Sequence, residues 1–162
     1  MERWIASVGD WPQDLAKDGV TQLRRKLDEY KKYFQTLGRS ALSVSIDCNS
    51  ENLIYSDGEL RFLDAYPPKD EWRIGDFIMD IFRTGSDVYA LAGKDAYEAY
   101  LKGVMEIAGE RIDRSFESFY LLYGALIMSP YLFALSKKNP QYLPKAEKYL
   151  VFVKELITIG SN

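Results

Sequence analysis

The sequence predicts an α+β domain that is mostly helical, with a small β-hairpin packed on a helical bundle. Apolar residues recur at helical spacing in several long segments, and two short alternating runs flank an Asp-Gly pair in the middle of the chain. The 162 residues are 47% apolar and 14% aromatic, enough for one buried core. We therefore expect a single domain with a helical lead-in (1–40), a loop and hairpin region (41–68) and a helical bundle (69–162).

The first predicted element is a long amphipathic helix from Gln13 to Leu37. Its apolar residues stand near helical spacing among Lys, Arg and Glu, and Gly38 follows as a stop signal. These residues are Leu15, Leu23, Leu27, Tyr30, Phe34 and Leu37.

The pattern then changes to that of β-strands. Leu42, Val44 and Ile46 alternate with serines, which is typical of a strand. Two further short apolar runs flank Ser56-Asp57-Gly58-Glu59, and Asp-Gly predicts a tight hairpin because both turn residues need a positive φ. Pro67-Pro68 is expected to end the β region.

Everything beyond the two prolines is predicted to be helical. Ile74, Phe77, Ile78, Ile81 and Phe82 repeat at three and four residues, while Asp76 and Asp80 would share another face of the same helix. Further helices are expected over about 94–109, 114–136 and 140–159.

One uncharged segment, 118–136, is long enough to cross a bilayer. Its Gly124, Pro130 and tyrosines favour a central helix of a bundle, where tyrosines find partners, so we expect no membrane span.

The predicted core comprises Leu53, Ile54, Phe62, Leu63, Ile74, Phe77, Ile78, Ile81, Leu121, Leu122, Leu126 and Phe133.

Composition excludes several classes of function. A net charge of −3 gives no reason to expect nucleic-acid binding. The absence of histidine removes serine–histidine hydrolysis, histidine-bound zinc and imidazole catalysis, which leaves carboxylates, tyrosine or lysine for acid–base work. A single cysteine and an N-terminal segment without a secretion signal predict a cytoplasmic protein.

The candidate site is the loop Asp47-Cys48-Asn49-Ser50-Glu51-Asn52 together with Asp64 after the hairpin. Asp47 and Asn52 bracket a loop between two strand-like runs, and the hairpin returns Asp64 at the end of its second strand, so their oxygens could converge. Carboxylate and amide oxygens suit magnesium and phosphoryl transfer. The alternative is that Asp47 and Asn52 hydrogen-bond the loop backbone and Asp64 caps the Pro-Pro turn.

Three blocks of sequence resemble the aminoglycoside phosphotransferase and choline kinase-like superfamily, whose pattern is HGDxxxxN, a hydrophobic-Asp step and GDxxxD. They are Asp47 to Asn52 with Leu53-Ile54, then Phe62-Leu63-Asp64, then Gly75-Asp76 with Asp80. The similarity extends over about 26–83. It is strongest to the branch in which such a domain is joined to a P-loop ATP-binding domain.

The resemblance implies a protein kinase-like C-terminal lobe and a role for each matching residue. Asp47 would be the catalytic carboxylate, Asn52 and Asp64 the magnesium ligands, and Asp76 a brace for the catalytic loop. If the protein is active, Mg²⁺ with ATP or GTP would serve as cofactors and an alcohol group as the phosphoryl acceptor.

The chain also departs from the family pattern. Ser45 stands where the family has histidine, Asn49 where a second histidine often follows, and Glu51 replaces a small residue. Only 46 residues precede Asp47, without a glycine-rich loop or a P-loop motif, so the nucleotide-binding N-terminal lobe is missing from this sequence.

Three readings of function follow. The one we favour is a degenerate kinase-like domain, a pseudokinase that binds or scaffolds. The alternatives are an active phosphotransferase subunit whose partner chain supplies the nucleotide-binding lobe, and an unrelated helical interaction protein. A missing lobe would expose an apolar surface, so we expect a homodimer or a partner protein, with candidate surface residues Trp4, Trp11, Tyr30, Tyr33 and Phe34.

Overall fold

The computed structural model describes residues 11–37, 42–44, 49, 52–63, 74–108 and 114–159. Most of these residues are helical, as the sequence predicts. Two short two-stranded antiparallel sheets stand between the first helix and the rest of the bundle in chain order.

Helix α1 spans Gln13–Leu37, the range predicted from its periodicity. Trp11, just before it, is almost completely buried and donates its indole N–H to the Ser129 hydroxyl at 2.9 Å. The expectation that Trp11 lies on an exposed docking surface is therefore wrong, because a hydrogen bond inside the bundle satisfies the only polar atom of its side chain.

Aromatic stacking attaches the C-terminal half of α1 to the bundle. The Tyr30 ring stacks on Phe119 with centroids 4.6 Å apart, and the Tyr33 ring lies 4.7 Å from that of Phe116. Both tyrosines were also candidates for an exposed surface and instead pack in the fold. Trp4 and the side chain of Phe34 fall in parts of the chain that the structure does not describe.

The predicted hairpin is confirmed. Strand β2 (Leu53–Ser56) pairs with β3 (Glu59–Phe62), with Leu53 opposite Phe62 and Ser56 opposite Glu59. The turn residues have φ values of 56° at Asp57 and 81° at Gly58, the left-handed conformation that the Asp-Gly pair predicts.

A second antiparallel pair corrects the prediction that everything beyond Pro68 is helical. Strand β1 (Leu42–Val44) pairs with β4 (Ile74–Asp76), Leu42 lying opposite Asp76 and Val44 opposite Ile74. Asp76 thus belongs to a strand, and Asp76 and Asp80 do not share a helix face. Pairing with a distant strand overrides the helical periodicity that runs through Ile74.

The bundle consists of α2 (Phe77–Ala92), α3 (Lys94–Ala108), α4 (Glu117–Lys138) and α5 (Leu143–Ile159), with a 3₁₀ turn at Pro140–Tyr142 before α5. Helix α4 lies centrally, in contact with α1, α2 and α5. Gly124 lets it approach α2, since a Cβ there would stand 2.9 Å from the Ser86 hydroxyl oxygen. Among the described helices, α4 alone is long and apolar enough to cross a bilayer, and most of it is buried inside the bundle.

The predicted core is confirmed in the helices and wrong in part of the hairpin. Ile78, Leu121, Leu122 and Leu126 are buried, and Leu53, Ile81 and Phe133 are partly buried. Ile54 and Leu63 are exposed, because the two strands of the hairpin pack mainly against each other. The side chains of Phe62, Ile74 and Phe77 lie outside the described part of the chain.

Candidate functional site

A backbone hydrogen bond joins the two described residues of the candidate loop, just before β2. The Asn52 N–H donates to the Asn49 carbonyl at 3.0 Å, and Asn49 is buried. Asn52, the predicted metal ligand, is half-buried at the start of the hairpin. This bond satisfies the backbone amide of Asn52.

A backbone hydrogen bond connects the two ends of the hairpin. The Leu63 N–H donates to the Asn52 carbonyl at 2.9 Å, which extends the β2–β3 ladder beyond its last paired strand residues. The residue after Leu63 in the sequence is Asp64, the second predicted metal ligand. Asp47 and Asp64 themselves are not among the described residues, so their separation from Asn52 remains a prediction.

The β1–β4 ladder flanks the loop and hairpin in chain order. It joins Val44, three residues before Asp47 in the sequence, to Ile74. Asp76, the predicted brace, ends β4, and α2 begins at the next residue without an intervening loop. Its backbone is described and its side chain is not, so its bracing role also remains a prediction.

Apolar side chains of the hairpin face solvent. Ile54 is 43% exposed, Tyr55 75% and Leu63 63%. Ile54 and Tyr55 are consecutive in β2 and so point to opposite faces of the hairpin. Each face of the hairpin therefore carries an apolar side chain that is open to solvent.

Two hydrogen bonds between side chains tie α2 to α5. Asp87 on α2 is 2% exposed and accepts a hydrogen bond from the hydroxyl of Tyr149 on α5, which is fully buried. In the second bond the donor is on α2 and the acceptor on α5: the Tyr89 hydroxyl donates to the Glu155 carboxylate at 2.6 Å. Burial together with the bond to Glu155 raises the pKa of Tyr89 to about 12.

A separate cluster joins α3 to the start of α4. The guanidinium of Arg114 pairs with Glu98 at 3.2 Å and also with Glu117, which accepts a hydrogen bond from Tyr97 at 2.8 Å. Burial, and then the hydrogen bond to Glu117, raise the pKa of Tyr97. The hydrogen bonds to Glu117 and Glu98 raise the pKa of Arg114, which is thereby held as a structural cation.

Sequence reasoning did not single out the Asp87–Tyr149 pair. Asp87 is one of four consecutive buried residues, 84–87. Because all faces of α2 are buried there, the helical pattern of apolar and polar residues does not show that Asp87 is buried. The run of short side chains from Thr84 to Ser86 was the available indication of close packing.

Within the described part of the chain, no three Asp, Glu or Cys side chains lie close enough together to hold a metal ion. Asp47 and Asp64 are outside that part. Next to the candidate loop, the hairpin presents apolar side chains to solvent. No family model matches this chain, and no curated protein or solved structure matches it.

Proposed function

We propose that the chain is a degenerate kinase-like C-terminal lobe that serves as a binding or scaffolding module and has no phosphotransferase activity on its own. The observation that carries the proposal is the hairpin beside the candidate loop. It has exposed apolar side chains on both faces and few packing contacts with the helices.

The described backbone supports the kinase-like reading of the three blocks of sequence. The hydrogen bond from Leu63 to Asn52 brings the end of the second block beside the end of the first. The residue after Leu63 can lie no more than 3.8 Å from it between Cα atoms, which favours Asn52 and Asp64 as neighbours. The β1–β4 ladder brings the third block beside the strand that leads into the loop.

The sequence argues against independent catalysis. Phosphoryl transfer depends on charge stabilisation from both sides of the phosphates, and this sequence has no glycine-rich loop or P-loop motif. Asp47, Asn52 and Asp64 would hold one side only. The alternative, an active subunit, requires a partner chain that supplies the nucleotide-binding lobe and uses the same three residues with Mg²⁺ and ATP or GTP.

Calorimetry tests whether the chain binds nucleotide without the partner chain that an active subunit would need, and the same titrations repeated with a partner present would separate the two functions. We expect no heat of binding when MgATP or MgGTP is added to the wild-type chain, to Asp64→Ala or to Glu59→Ala. The last variant is a matched control because it removes an exposed carboxylate from the same hairpin. Magnesium-dependent nucleotide binding that Asp64→Ala abolishes and Glu59→Ala retains would refute the scaffold reading in favour of the active subunit.

The exposed hairpin is a second candidate for the surface that contacts a partner. A two-stranded hairpin is only marginally stable in water by itself, and covering its apolar side chains would stabilise it. We propose that a second copy or a partner protein encloses the hairpin, covering Ile54 on one face, Tyr55 on the other, and Leu63 at the end of the second strand. This surface takes the place of the one expected at Trp11, Tyr30 and Tyr33, which pack within the bundle.

Light scattering coupled to size exclusion tests the self-associated form of this proposal. We expect a dimer for the wild type and a shift towards monomer for Ile54→Ser. The control Val151→Ser removes an even more exposed apolar residue from α5 and should leave the mass unchanged. A wild-type chain that is monomeric at every concentration, or two variants that behave alike, would contradict association through the hairpin.

A further inference from the structure

We draw no further inference here: the strongest candidate, the shallow groove of about 390 Å³ that Leu101, Met105 and Arg114 line between α3 and the start of α4, carries nothing because Arg114 is already paired with Glu98 and Glu117 and no buried polar group within the described residues is aimed into it.

Discussion

Replacing Tyr149 by phenylalanine tests whether the buried pair with Asp87 stabilises the fold. The substitution removes one hydroxyl and leaves the ring in place, so the change is confined to the hydrogen bond between α5 and α2. Removing the donor from a buried acceptor costs about 1–3 kcal/mol, and the nearly complete burial of both side chains excludes water as a substitute donor. Asp87 has a further interaction, so part of its stabilisation survives.

We therefore expect Tyr149→Phe to lower the free energy of unfolding by about 2–3 kcal/mol. For a chain of this length, that loss corresponds to a decrease in Tm of roughly 4–12 °C. Urea titrations at pH 7 followed by far-ultraviolet circular dichroism measure the loss directly, through a lower midpoint at constant slope.

Two further variants make the measurement specific. Tyr131→Phe removes a hydroxyl from an exposed tyrosine of α4 and should change stability by less than about 0.5 kcal/mol. The double variant Asp87→Asn with Tyr149→Phe should show a coupling energy of about 1 kcal/mol or more, because the two groups are in contact. Additive effects, or a Tyr149→Phe protein as stable as Tyr131→Phe, would refute the reasoning.

The remaining predictions concern pH and helix packing. The pKa of Tyr89 is about 12 in the folded protein and about 10 in an unfolded chain, so its stabilisation is complete below pH 10 and is lost as the pH rises through 12. The urea midpoint should fall over that interval, and should fall less in Tyr89→Phe; equal pH dependence of the two proteins would contradict this assignment. Gly124→Ala should lose about 1–3 kcal/mol, because its Cβ would displace the Ser86 hydroxyl. Gly103→Ala, with open space around it, should be neutral or gain up to about 1 kcal/mol, and equal midpoints for the two glycine variants would be evidence against close packing at Gly124.

Local features of the fold could be predicted from sequence and distant pairings could not. The range of α1 follows from its periodicity and Gly38, and the hairpin follows from Asp57-Gly58, since each depends on residues close in sequence. The strand at Ile74 escaped prediction because its partner β1 lies about 30 residues earlier. Trp11 was misplaced for the same reason, as its hydrogen-bond partner Ser129 is 118 residues away.

In the candidate site, too, contacts between residues close in sequence could be predicted and contacts between distant residues could not. The bond from Leu63 to Asn52 agrees with the predicted hairpin, while most of the predicted loop lies outside the described residues. Whether three oxygens meet depends on the side chains of Asp47 and Asp64, which short-range patterns do not determine. The burial of Asp87 also depended on neighbours from a distant helix, which sequence periodicity alone does not identify.

The nesting of the hairpin inside the β1–β4 ladder has a consequence for the order of folding. Pairing β1 with β4 closes a loop of about 30 residues, whose entropic cost grows with the length of free chain. A hairpin forms within about 1–10 μs, and once formed it shortens the free chain between the two strands. We therefore expect formation of the β2–β3 hairpin to lower the entropic cost of pairing β1 with β4, and a substitution that slows the hairpin to slow that pairing.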